Sequence, residues 1–172
     1  MEKQCVQKGS PLHACLGRWL VPVSAAGVLF VRNNCEVLLA TNSTRPGDLE
    51  DLGGKVNRYD TRPLDTAARE VAEETNGLVS KEQARDLIAR VPRHVYYNAR
   101  FKYICIVVHV GDDFLPDPHA AGRFEEGEGM GRVISWYPIE EVTVPAALSN
   151  RIRSIAFTGH FLRRPTEWSD VY

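Results

Sequence analysis

The stretch "REVAEETNG", residues 69–77, sets Glu70, Glu73 and Glu74 at i, i+3 and i+4 of a helical pattern, so three carboxylates project from one side. Like charges at that spacing repel, and the cluster sits near a helix C-terminal end, where the macrodipole favours cations. The ordinary explanation is a solvated charged face, with Arg69 reaching Glu73 one turn on. Three features point elsewhere. The glutamates cluster instead of alternating with lysines, the short helix follows a glycine-rich "GGK" at 53–55, and the misplaced charge needs a cation to balance it. Hard divalent ions, Mg²⁺ or Mn²⁺, bind carboxylate and carbonyl oxygens, usually with water and substrate phosphate completing the shell. The clustered acids read as a metal seat.

The surrounding elements must hold that seat in place. "VSAAGVLFV" (23–31) and "EVLLAT" (36–41) are apolar runs of strand length joined by the turn-like "RNN", a hairpin pattern. A loop over 42–51 leads into a tight "LGGKV" at 52–56. The helix then starts at Pro63, with Asp60 or Thr61 as its expected cap. Leu64, Ala67, Ala68, Val71 and Thr75 form its inward stripe, and Asn76 and Gly77 stop it. Residues 80–91 follow helical spacing, and 94–110 give two strands around "NAR". Residues 111–131 form a long polar loop, 132–139 a strand, and 145–164 a further helix. Hairpins alternating with separated helices argue for an α/β sandwich, with helices covering a sheet. Residues 1–17 are expected to be a loose arm, 18–164 a single domain and 165–172 a tail.

Composition excludes several classes of function. The 172 residues carry a formal net charge of −1, with 44% hydrophobic and 25% charged residues, values that predict one globular domain without general polyanion affinity. No run approaches the roughly 18 apolar residues of a membrane helix, and no secretory h-region opens the chain. Cys5, Cys15, Cys35 and Cys105 show no CxxC pair and no zinc-type spacing. Reduced thiols fit a cytoplasmic or nuclear setting. His94, His109, His119 and His160 have no ligand spacing.

"GGKVNRYDTRPLDTAAREVAEETNG" closely resembles the signature of the Nudix hydrolases, G-x5-E-x7-R-E-U-x-E-E-x-G-U, where U is bulky and apolar. Arg69, Glu70, Val71, Glu73 and Glu74 match residue by residue. Asp60 stands where the family has its first glutamate, with five residues between it and Gly54, and eight residues instead of seven separate it from Arg69. Asn76 takes the last glycine position, and it too tolerates a left-handed stop. With the flanking strands and "VISWYPIEEV", the likeness extends over most of residues 20–143.

The resemblance implies an α/β/α sandwich with a mixed sheet and a metal-dependent hydrolase cutting a phosphoanhydride in a nucleoside diphosphate linked to another moiety. It implies Glu73 and Glu74 as main metal ligands, Glu70 as ligand or water orienter, Arg69 as their partner and the Gly53 carbonyl as an extra ligand. A further acid usually comes from a distant loop. Glu125, Glu126 and Glu128 are the candidates, with Glu126 and Glu128 preferred by their position before Trp136. Lys55, beside Gly54, is placed to meet a phosphate, although a plain surface lysine has the same appearance. Arg93 and Tyr97, among strand aromatics and cations, could serve a substrate base and phosphate; core packing is the commoner role. A small nucleotide-diphosphate compound is the default substrate. An RNA cap is not indicated by charge, and oligomeric state, a dimer included, stays open. The competing expectation is a catalytically silent Nudix-like module that binds nucleotide or RNA. The altered first acid and its spacing favour it, and the intact glutamates oppose it.

Overall fold

The computed structural model describes residues 12–16, 18–33, 35–41, 47–90, 93–122 and 132–142. The helix expected over 145–164, the tail from 165, and Glu125, Glu126 and Glu128 lie outside them.

A hairpin of β1 (Leu12–Leu16) and β2 (Trp19–Val23) forms a separate two-stranded sheet. Residues 12–16 are thus a strand where a loose arm was expected. Ala14 and Val23 bury themselves in the main core, which is what orders this segment.

The main sheet is built around β3 (Ala25–Arg32). On one side β3 pairs in parallel with β8 (Tyr103–Val110) over its whole length, and β7 (Arg93–Asn98) continues that side antiparallel. On the other side two strands share β3: β6 (Leu52–Lys55) takes its first half and β4 (Glu36–Thr41) its last residues, both antiparallel. β4 also carries the short β5 (Leu49–Glu50) and β9 (Ile134–Pro138). This mixed sheet confirms the expected hairpin of β3 and β4 and the two strands around "NAR".

Alternation along β3 sorts the core into two faces. Ala26, Val28 and Phe30 face α1 (Pro63–Glu74), meeting Ala67, Ala68 and Val71, while α2 (Lys81–Arg90) adds Ala84 and Ile88. Leu29 and Val31 face the opposite way, toward Ile139 and Val142 of the short α3 (Ile139–Val142). Helices thus cover both faces of the sheet, an α/β sandwich.

The inward stripe of α1 is as expected, and Asn76 and Gly77 end it with φ of 49° and 78°. Its start differs. Arg62 is the N-cap, and Asp65 at the third helical position reaches back to the Arg62 amide (3.1 Å) and the Thr61 hydroxyl (2.7 Å). Neither Asp60 nor Thr61 caps the helix.

Candidate active site

The glycine segment is a strand, not a tight turn. Gly53 lies opposite Gly27 and Gly54 opposite Ala26, and successive residues of a strand face opposite sides. A Cβ on Gly53 would stand 2.5 Å from the Gly27 Cα and 2.8 Å from the Ala26 carbonyl, so the two strand backbones leave no room for one. Beneath them, the Tyr103 hydroxyl donates to Asp51 Oδ2 at 2.6 Å in a fully buried pair. On the other side, a Cβ on Gly54 would lie 2.5 Å from Glu70 Cδ. The Glu70 carboxylate is therefore seated directly on the Gly54 backbone, at the one kind of residue that lets it approach so closely.

Arg69 organises the acids around that seat. Its Nη1 donates to Glu70 (2.7 Å) and to Glu73 (3.0 Å), while Nη2 donates to Asp60 (3.1 Å) and to the Lys55 carbonyl (2.8 Å). One guanidinium thereby ties helix α1, strand β6 and the intervening loop together, a task suited to its planar, five-donor fork. Burial works against its charge, but its hydrogen bond to Asp60 and the charges of Glu70, Glu73 and Asp60 outweigh it and raise its pKa. Asp60 is buried, and besides Arg69 it accepts from the Thr66 hydroxyl (3.0 Å) and the Asn57 amide (2.9 Å). The extra loop residue and the shorter acid are thus absorbed in an anchor for Arg69.

Glu74 sits deeper, and it is held by a residue that no motif in the sequence marks. Arg132, buried just before β9, donates through Nη1 to Glu74 at 2.7 Å and through Nη2 to Glu50 at 3.3 Å. Its Nε donates to the Thr41 carbonyl at 2.9 Å. Five carboxylates thus share two guanidinium groups, all the donors being hard oxygens, the type that suits a divalent cation. Among the described residues no three acidic, histidine or cysteine side chains already converge as a cage.

The remaining candidates fall differently. The Lys55 side chain is exposed at the end of β6. Tyr97 is in register with Ile104, Ala26 and Gly54 across four strands, which sets it three strand spacings, roughly 14 Å, from the glycine. Its hydroxyl donates to the Pro22 carbonyl at 2.7 Å and its ring packs against the core, the packing role that strand aromatics commonly have. The Arg93 backbone lies four residues further along β7, opposite Val108. A cleft of about 540 Å³ opens beyond the end of α1, lined by Leu78, Leu87, Phe114 and Leu115 among others, but none of the three glutamates reaches it. No helix among the described residues is long and apolar enough to cross a membrane.

The NUDIX domain model matches residues 21–157. No curated protein matches the chain. Among solved structures, a MutT/Nudix family protein from Listeria innocua is similar at 16% identity and a TM-score of 0.49, over 77% of this chain and 88% of that one. A C. elegans Ap4A hydrolase is similar at 20% identity and a TM-score of 0.45, over 82% and 93%. A NUDIX hydrolase from Nitrosomonas europaea is similar at 13% identity and a TM-score of 0.46, over 83% and 93%.

Proposed function

This chain belongs to the Nudix family of pyrophosphohydrolases, and we propose that it cleaves the phosphoanhydride of a small nucleoside diphosphate linked to another moiety, using Mg²⁺ or Mn²⁺. Enzymes of this family generally use divalent metal ions and act on small nucleotide-diphosphate substrates. The observation that carries the proposal is the seating of the Glu70 carboxylate on the Gly54 backbone, with Glu73 and Glu74 on the same helix side and an arginine behind each. Glu73 and Glu74 are the main metal ligands, Glu70 a ligand or the orienter of the attacking water, and the Gly53 carbonyl an additional donor. A cation bound there supplies an acidified water and offsets phosphate charge. The chain's own part is to aim carboxylates at that point, and Arg69 does so through four acceptors at once. Lys55, exposed beside Gly54, meets a phosphate oxygen of the substrate. Glu126 or Glu128 supplies the further acid, and the setting is cytoplasmic.

The test is a panel of nucleotide sugars, ADP-ribose, dinucleotides, modified nucleoside triphosphates and capped RNA, assayed with Mg²⁺, Mn²⁺ or chelator. Metal-dependent release of a nucleoside monophosphate from one class, abolished by combining Glu73→Gln and Glu74→Gln, supports the reading. Metal-independent turnover, or none across the panel, overturns it.

A further inference from the structure

Arg132 and Glu50 form a device that acts on one glutamate of the helix and leaves the other two alone. The Arg132 side chain is 3% exposed, and its three donors go to three different elements: the end of β4 at Thr41, β5 at Glu50, and the last residue of α1 at Glu74. Its backbone is fixed as well. Thr41 exchanges hydrogen bonds with Val133, its amide donating to the Val133 carbonyl at 2.9 Å and its hydroxyl accepting from the Val133 amide at 3.0 Å. The far side of the helix end is held by Asn76, whose Nδ2 donates to the Ala121 carbonyl at 2.8 Å.

A rotamer change at Glu74 would take its charge away from a guanidinium that has almost no contact with solvent, and breaking such a pair is costly. Glu73 lives under the opposite regime. Its side chain is 57% exposed, and among the described residues it is held by Arg69, at 3.0 Å. Two of the acids expected to share a ligand therefore differ sharply in freedom: Glu74 is set beforehand, and Glu73 can swing.

We infer that Arg132 is a positioning residue that presets the Glu74 carboxylate for divalent metal binding, with Glu50 holding Arg132 in register. The inference rests on the functional reading above, since it takes Glu74 to be a metal ligand. Arginine is needed because a lysine ammonium is a single point of charge and cannot serve Thr41, Glu50 and Glu74 in one plane. Glu50 acts through its hydrogen-bond acceptor, so an amide in its place keeps the arrangement.

The test is direct Mn²⁺ titration followed by electron paramagnetic resonance on the full chain, alongside thermal melts. In Arg132→Lys the Mn²⁺ dissociation constant should rise on the order of tenfold or more, as for other groups that orient a metal ligand. Glu50→Gln should stay within about twofold of the unsubstituted protein, and Arg132→Lys in a Glu74→Gln background should weaken Mn²⁺ no further, because its effect runs through Glu74. If Arg132→Lys does not fold, Glu50→Ala, at a less buried position, should raise the constant about threefold by loosening Arg132. Unchanged Mn²⁺ affinity in a folded Arg132→Lys or Glu50→Ala, with only a lower melting temperature, overturns the inference alone. No Mn²⁺ binding by the unsubstituted chain overturns the functional reading, and this inference with it.

Discussion

Replacing Asp60 tests whether the displaced first acid of the signature anchors Arg69. In Asp60→Asn the carboxylate charge opposite Arg69 is lost, yet one amide oxygen can still accept from Thr66 or Asn57. Removing one partner of a buried ion pair costs roughly 3–5 kcal/mol when the other is left uncompensated. Arg69 is not left so, because Glu70, Glu73 and the Lys55 carbonyl still receive its hydrogen bonds at 2.7, 3.0 and 2.8 Å. The expected cost falls to about 2 kcal/mol. Asp60→Ala also strands the buried Thr66 hydroxyl and the half-buried Asn57 amide, which donate to Asp60 at 3.0 and 2.9 Å, and the two orphans together add about 2 kcal/mol. The total is then about 4 kcal/mol. At roughly 2–4 °C per kcal/mol for a domain of this size, the melting temperature should fall by about 6 °C in the amide variant and about 12 °C in the alanine variant. Urea unfolding with unchanged slope, read by circular dichroism, measures both costs. A helix cap would behave otherwise: Asp60→Asn neutral and Asp60→Ala near 1 kcal/mol. That pattern would refute the anchor.

Gly54→Ala should cut turnover sharply with little loss of stability, since its Cβ meets the movable Glu70 carboxylate, whereas Gly53→Ala meets the backbone of Gly27 and Ala26 and should lower the melting temperature first; paired kinetics and melts separate the two. Glu74→Gln should lower kcat about a hundredfold, near 3 kcal/mol, with KM little changed, because the carboxylate works chiefly in the transition state; wild-type-like kcat would remove it from the site. Burial raises the Asp65 pKa, but hydrogen bonds from Thr61 and Arg62 and the charges of Arg62 and Arg85 lower it overall. Its stabilisation is therefore complete above the unfolded value of 3.8 and lost as pH falls through the lower folded one. Asp65→Asn should flatten the acid limb of a urea-midpoint profile. His109 is held below 6.5 by burial and by His94, so the unfolded chain binds more protons as pH drops below that value and stability declines there; His109→Gln should remove that slope between pH 7 and 5.

What the sequence made legible was local. The stripe of Ala67, Ala68 and Val71, the stop at Asn76 and Gly77, the clustered acids and the β-branched run of β8 all follow from spacing and residue type within one element, and each is where expected. Longer-range pairings were not legible. Pairing with β3 makes a strand of the glycine segment, a contact set by register with residues 25–28 and by no propensity of its own. Asp60 resembles a cap because it precedes a proline helix start; the opposing signal, a threonine and an arginine six and nine residues on, acquires meaning only once the helix winds them toward it. Arg132 lies 58 residues from Glu74 and 91 from Thr41. Nothing in "GRVISWYP" marks its arginine as interior, since arginines are mostly at the surface.

The parallel union of β3 and β8 has a consequence for how the molecule comes to exist at all. Two strands that run the same way cannot be joined by a tight turn, so the whole glycine strand, loop and helix must be threaded between them before they meet. Closing so long a loop carries its entropy cost before the contacts that reward it are made. The acids of α1 can gather on a nascent helix early, but Arg132, which lies just before β9, is brought to Glu74 by the pairing of β9 with β4. During synthesis the chain would then acquire its three glutamates well before it could aim the last of them. Refolding followed by Mn²⁺ capture should accordingly lag behind the gain of helical signal, with the slow phase belonging to sheet closure.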